Sequence, residues 1–292
     1  METASQQELI LKERKANNSW NKLKRNKTAL FGLIVVTIMI LMAVLAPVIT
    51  SQDPNVMDIS KAYLKPGAEG HILGTDQYGR DLLTRIIYGA RISMIVAVGG
   101  MLVGGVIGIL LGLVAGFKGG IVDTIIMRLM DGMFAFPFIL LALVLMTVLG
   151  DGVGNVILAI GIANVPGFAR IVRGQVHIVK NEEYTVAVKT LGASDARVLF
   201  SHILPNCISP IIVYATLNVA GSIISEAALS FLGLGVQPPT ASWGNILRDG
   251  KDTLMTASHI ATFSGLTIII TVLGFNLLGD GIRDVLDPKM KR

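Results

Sequence analysis

Six apolar segments dominate this chain, each near or above the ~20 residues a helix needs to cross ~30 Å of hydrocarbon. They run over about residues 29–49, 92–117, 121–149, 153–172, 208–232 and 259–278. Inside lipid a backbone must satisfy its own hydrogen bonds, so runs of this length fold as helices. Composition agrees, with 52% hydrophobic and 15% charged residues, against roughly a quarter charged in soluble domains. The expectation is an all-α integral membrane protein with six transmembrane helices.

Basic residues set its orientation. A basic head (Lys12, Arg14, Lys15, Lys22, Lys24, Arg25, Lys27) precedes the first apolar run. That run is longer than the ~7–15 residues of a signal-peptide core, and Pro47 follows Ala46. It therefore reads as an uncleaved anchor with the N-terminus cytoplasmic, and six spans return the C-terminus to the same side. This topology places 18 of the 25 Lys and Arg inside. Lys61, Lys65, Arg80, Arg85, Arg91, Arg248 and Lys251 remain outside. Such a bias follows the positive-inside rule. The net charge of +5 thus speaks for orientation and not for nucleic-acid binding. One cysteine, Cys207, excludes an internal disulfide and a cysteine-built metal cluster.

Several segments carry more than hydropathy. Before the second span, Thr75 or Asp76 is placed to cap a helix. Leu82, Leu83, Ile86 and Ile87 form a stripe at helical spacing, and Asp81 and Arg85 can pair at i, i+4. These features predict an amphipathic helix lying at the outer interface. Within the second span, Gly100, Gly104, Gly108, Gly112 and Gly116 recur every four residues, which lets helix backbones approach closely. The bundle of this same subunit is the favoured partner. In the third span Arg128 and Asp131 can pair at i, i+3, and Pro137 predicts a kink. Glu226 is a lone acid late in the fifth span, which either faces a pathway or reaches outer water.

Between the fourth and fifth spans lies a polar block. Glu182 and Glu183 suit a helix start. Ala187, Val188 and Leu191 give that helix a small apolar face, and Gly192 ends it as a left-handed C′ residue. Ser194 caps a second short helix over 195–201, and Pro205 sits in the first turn of the fifth span. A polar helical block between spans is a place for another protein to dock. No GxxxxGK[ST] loop, HExxH or GxSxG element occurs, and the four histidines are scattered. The chain is therefore not expected to be an enzyme, to hydrolyse ATP itself, or to hold a metal or cofactor.

These motifs together resemble one family. Gly192, nine residues, then His202-x-Leu204-Pro205 is similar to the EAAxxxG…IxLP loop of ABC importer permeases. Val186, Ala187 and Val188 stand at the EAA positions. Gly74, Thr75, Asp76, Gly79, Arg80 and Asp81, then Tyr88, Gly89, Arg91 and Ser93, look like the GTDxxGRD…YGxRxS signature of the C-type permeases of dipeptide, oligopeptide and nickel importers. The blocks Glu226–Gly250 and Leu273–Arg292 resemble the same subunit, so the likeness covers about residues 25–292.

The resemblance implies a permease forming half of a translocation pathway in a bacterial or archaeal cytoplasmic membrane. Its partners would be a homologous second permease, two ATPase subunits that bind ATP and Mg, an extracytoplasmic substrate-binding protein and membrane lipid. Short peptides lead as cargo, with nickel or a modified peptide such as glutathione as alternatives. The implied division is a basic segment at 1–28, a first span at 29–50, an extracytoplasmic loop with an interfacial helix at 51–91, a permease domain at 92–282 with its coupling loop at 174–205, and a cytoplasmic tail at 283–292. ATPase coupling falls to Glu183, Ala187, Val188, Gly192, Ala193, Ser194, Asp195, Leu204 and Pro205. Gly74, Thr75, Asp76, Gly79, Arg80, Asp81 and Arg91 would gate the outer mouth or meet the binding protein, and Glu226 is the pathway candidate. The alternative is a secondary transporter driven by an ion gradient. That reading predicts internal repeats and midplane acids, and the sequence has no clear repeat and keeps most acids near span ends.

Overall fold

Every apolar run becomes helix in the computed structural model, which describes residues 26–286. The basic residues Lys12 to Arg25 and the tail residues Lys289, Lys291 and Arg292 lie outside the described residues. Helix α1 spans Lys27–Val44, capped by Asn26, and a short α2 spans Ala46–Ile49. Next come α3 (Leu82–Lys118), α4 (Gly120–Phe134), α5 (Phe138–Leu149) and α6 (Val153–Lys180). The short α7 (Glu183–Thr190) and α8 (Asp195–Arg197) precede a π-helical turn, Val198–Ile203. Helices α9 (Leu204–Phe231), α10 (Trp243–Lys251) and α11 (Ser258–Leu286) complete the order. Five helical runs are long and apolar enough to cross a membrane, and α4 with α5 makes a sixth if that bent pair is one span. Among the described residues no strand forms, only two isolated bridges.

The third span is broken. Pro137 lacks an N–H and disfavours helix for the residue before it, so α4 stops at Phe134 and α5 restarts at Phe138 with a 92° bend. Residues 82–91 do not form a separate interfacial helix. They are the first turns of α3, whose 37 residues make a rod of about 55 Å. Neither Gly89 nor Arg91 interrupts it, and its cap is Asp81, not Thr75 or Asp76: the Asp81 carboxylate accepts from the Thr84 amide at 2.8 Å.

The glycine stripe packs inside the subunit, against the parallel helix α6. A methyl group added at Gly104, Gly108 or Gly112 would stand 2.6, 2.7 and 2.6 Å from the carbonyl oxygens of Gly161, Val165 and Ala169. Only hydrogen fits at such an approach. Helix α11 closes antiparallel on α1, where a methyl at Gly32 would meet the Leu278 amide nitrogen at 2.6 Å. The charges of the third span pair across helices and not along one. Arg173 forms a two-pronged bridge to Asp123 at 2.5 and 2.6 Å, and Arg170 meets Asp131 at 2.9 Å. Asp131 is thus taken by α6 and not by Arg128.

Two apolar cores mark the bundle's ends. At the α10 end, Leu82, Ile86, Ile223, Trp243, Ile246 and Ile260 pack together. At the α7 end, Leu113, Phe117, Val176, Val198, Ile203 and Cys207 do so.

Candidate functional site

The segment between α6 and α9 folds as a helix, a left-handed turn and a second helix start. Glu183 opens α7, where its charge suits the N-terminal dipole. Gly192 has φ +85° with open space around it, so its backbone is what requires glycine. The Ser194 hydroxyl accepts from the Arg197 amide at 3.4 Å. Thr185 is buried, and Val188 and Ala193 pack on the α7-end core. Ala187 faces outward instead of joining that contact, as do Glu183, Ser194 and Asp195. Leu191 is 87% exposed, with Tyr184 and Val186 about half exposed beside it. No separate helix ends at residue 201. Asp195 through Phe231 runs as one helical element of 37 residues, with the π turn inside it. Leu204 and Pro205 lie one and two residues beyond that turn, in the first turn of α9.

At the α10 end, the loop before α3 is tied down by its own polar residues. Asp76 is buried and accepts from the Tyr78 and Arg80 amides at 2.8 and 3.0 Å. Its other oxygen holds Arg80 at 2.6 Å and Arg85 at 3.4 Å. Arg80 also reaches Asp249 on α10 at 3.5 Å. Burial raises the Asp249 carboxyl above its ordinary range, against the pull of Arg80 and Arg85. Arg85 therefore pairs with Asp76 and donates to the Pro54 carbonyl. Asp81 turns the other way, to His71 at 2.9 Å. Thr75 accepts from the Leu64 amide at 2.9 Å, and its carbonyl meets His259 of α11 at 3.2 Å. Gly74 and Gly79 have φ +81° and +72° and lie against the Leu64 and Asp58 carbonyls. Of the seven residues assigned to the outer gate or the binding-protein contact, five are buried: Gly74, Thr75, Asp76, Gly79 and Arg80. Asp81 is half-buried. Arg91 alone is exposed, and it lines an apolar groove together with Val44, Met94, Val98 and Phe275.

Comparison with known proteins gives this geometry its context. Residues 104–292 match the family described as binding-protein-dependent transport system inner membrane component. Residues 17–66 match the N-terminal transmembrane domain of oligopeptide transport permease C. The dipeptide transport system permease protein DppC of Alkalihalophilus pseudofirmus is 45% identical over 276 residues, 94% of this chain and 90% of that protein. The di/tripeptide transport system permease DppC of Pseudomonas aeruginosa is 42% identical over 277 residues, 93% and 91% of the two chains. The glutathione transport system permease GsiD of Escherichia coli is 44% identical over 273 residues, 93% and 90%. This chain belongs to the binding-protein-dependent ABC importer permeases. Within them it is a C-type peptide-importer permease, a multi-pass membrane subunit and not an enzyme, and the ion-gradient alternative is not favoured.

In this permease Glu226 reaches neither a pathway nor water, because it is fully buried within the chain. Its two oxygens accept from Ser93 of α3 at 2.9 Å and from Ser230 at 2.8 Å. Ser93 in turn accepts from the Trp243 amide at 3.2 Å, and the Trp243 indole donates to the Ile86 carbonyl at 3.0 Å. The acid therefore pins α9, α3 and α10 together.

Sequence reasoning missed a polar cluster between α6 and α9. Asn164 donates to Ser222 at 3.2 Å and accepts from Asn218 at 2.9 Å. The four-residue spacing of Asn218 and Ser222 put both on one helix face, a signal available without the structure. Their meeting with Asn164 was not, since that partner lies more than fifty residues away in sequence.

Proposed function

We propose that this permease forms half of a translocation pathway for short peptides and that α7 with its following turn couples ATPase closure to alternating access. The partners in this reading are a homologous second permease, two ATPases holding ATP and Mg, and an extracytoplasmic binding protein, in a bacterial cytoplasmic membrane. The α7 end then faces the cytoplasm. The observation that carries it is the unbroken helical run from Asp195 to Phe231. A push on the exposed face of Tyr184, Val186 and Leu191 passes through Gly192 and Ser194 into a rigid element that crosses the membrane. A floppy loop would absorb such motion. The names of the similar proteins support a cargo of dipeptides, tripeptides or the modified tripeptide glutathione.

The loop before α3 acts in this reading as a brace, holding the outer ends of α3, α10 and α11 in register while the binding protein meets its exposed rim. Gly192→Asp tests the coupling role. No neighbour blocks the new side chain, so only the left-handed backbone is penalised, by about 1–2 kcal/mol. Peptide uptake is expected to be lost while membrane insertion and assembly remain. Normal uptake in that variant would sink the coupling role.

A further inference from the structure

A cavity of about 240 Å³ lies beneath α7, between the ends of α3 and α6. Phe117, Lys180, Asn181, Thr185, Lys189 and Val198 line it, and no carboxylate does. Two ammonium groups converge there. Lys180 and Lys189 stand 5.7 and 5.6 Å from the centroid of the same Phe117 ring. Lys180 spends one hydrogen on the Phe117 carbonyl, at 2.6 Å. Lys189 has only an exposed contact with Asp195 at 3.9 Å. Two like charges drawn to one ring are left without a shared counter-ion. Thr185 sharpens the point. Its residue is 2% exposed, and among the described residues its hydroxyl is the one buried side-chain polar atom with no hydrogen-bond partner. Buried polar atoms are nearly always satisfied, so an orphan in a cavity wall asks for an occupant.

We infer that this cavity is a phosphate-binding site, filled by the headgroup of an anionic phospholipid. Two lysine ammoniums and a hydroxyl offer more donors than a single carboxylate accepts, and they suit a tetrahedral oxyanion. Location selects the lipid as the source. The site sits where α3 and α6, both membrane-crossing, reach their last residues, Lys118 and Lys180. Helix α4 opens two residues after Lys118, at Gly120, and its first turns carry exposed Ile121 and Ile125, apolar side chains that belong in hydrocarbon, so the end of α3 stands at the headgroup layer. The acyl chains then lie along the bundle while the phosphate is held under α7. A bound lipid would fasten α7 to the ends of α3 and α6 and stiffen the segment on which coupling depends. The site itself depends only on membrane residence and not on the cargo.

The test uses the assembled importer purified from its own membranes. Native mass spectrometry counts the phosphatidylglycerol retained by wild type, Lys189→Gln, Thr185→Val and the Lys180→Gln/Lys189→Gln pair. Retention is expected to fall about fivefold per lysine removed and severalfold for Thr185→Val. Lys189→Gln makes no buried bond in the folded chain, so its result stands even if the Lys180 change disturbs the helix end. In parallel, wild type in lipid-stripped detergent is titrated with phosphatidylglycerol or with inorganic phosphate, and its unfolding temperature is followed. A rise with the lipid that Lys189→Gln blunts supports the site. Equal retention in all four proteins overturns it. An equal rise with inorganic phosphate alone assigns the cavity to free phosphate and overturns the lipid source. So would protection of Lys189 from acylation that appears only with the ATPases bound and ignores lipid.

Discussion

At the residue scale, the buried charges are the most sensitive points. Asp76 compensates two arginines at once, and Asp249 shares Arg80 with it. Asp76→Asn leaves cations with half their counter-charge in a buried site, at a cost of about 3–5 kcal/mol. A large drop in the unfolding temperature of the purified complex is expected, with normal synthesis. Arg80→Gln in the same chain should recover part of the loss, because partners in one network are not additive. Asp249 adds a pH signature. Its folded carboxyl binds a proton more tightly than the unfolded one, since burial outweighs the facing Arg80, Arg85 and Arg248, while Asp76 adds to the rise. Its contribution to stability is therefore full below the ordinary Asp range of about 4 and is lost as pH rises to the folded value. The difference in unfolding temperature between wild type and Asp249→Asn should fall as pH rises through that window. A flat difference would mean Asp249 titrates normally. Glu226 is held by two serine hydroxyls with no cation among its hydrogen-bond partners, so Glu226→Gln, which keeps the shape and a carbonyl acceptor, should fold nearly as well as wild type. Glu226→Ala orphans Ser93 and Ser230 and should lose about 2 kcal/mol or more.

At the element scale, α3 and α6 form the tightest contact, and glycine makes it. Gly112→Ala would set a methyl 2.6 Å from the Ala169 carbonyl and 2.8 Å from the Val172 Cβ. Neither can swing aside as a flexible side chain would. The change should cost about 1–3 kcal/mol, read as a lower unfolding temperature or faster degradation in membranes. Gly174→Ala, with nothing within 4 Å of the added carbon, is the matched control and should be neutral or slightly stabilising. Much of this level was legible in the sequence. The four-residue glycine repeat, the Pro137 break, the left-handed Gly192 and the Ser194 cap are local effects, and local rules reach them. The charge partners were not legible. Asp81 with Arg85 and Arg128 with Asp131 satisfy helical spacing, yet the structure gives Arg85 to Asp76 and Asp131 to Arg170. Spacing along one helix says nothing of the neighbour that packs against it. The start of α3 escaped for a related reason. An amphipathic stripe marks a buried face equally well whether that face meets the headgroup layer or, as here, Trp243 and Ile246.

At the scale of the whole molecule, the two ends of the bundle are built differently. The α10 end is clamped by ion pairs, by Glu226 with its serines and by the buried indole of Trp243. The α7 end carries an exposed apolar tip on a short helix, joined to the run from Asp195 to Phe231. Such an asymmetry suits a lever that is held at one end and pushed at the other. In the proposed coupling the sensitive place along this run is the π turn, Val198–Ile203, since π turns are rare and commonly mark functional positions. Inserting two glycines between Ile203 and Leu204 would keep both helical pieces but loosen their joint, as glycine runs behave as flexible linkers. The assembled importer should then still hydrolyse ATP, while peptide uptake in vesicles falls to background. An insertion of two alanines, which extends the helix and rotates the tip by about 200°, should also stop uptake but should in addition weaken ATPase attachment during purification. If the glycine variant transported normally, force would have to reach the bundle by another route, and the direct packing of Val188 and Ala193 on the α7-end core would become the part to examine.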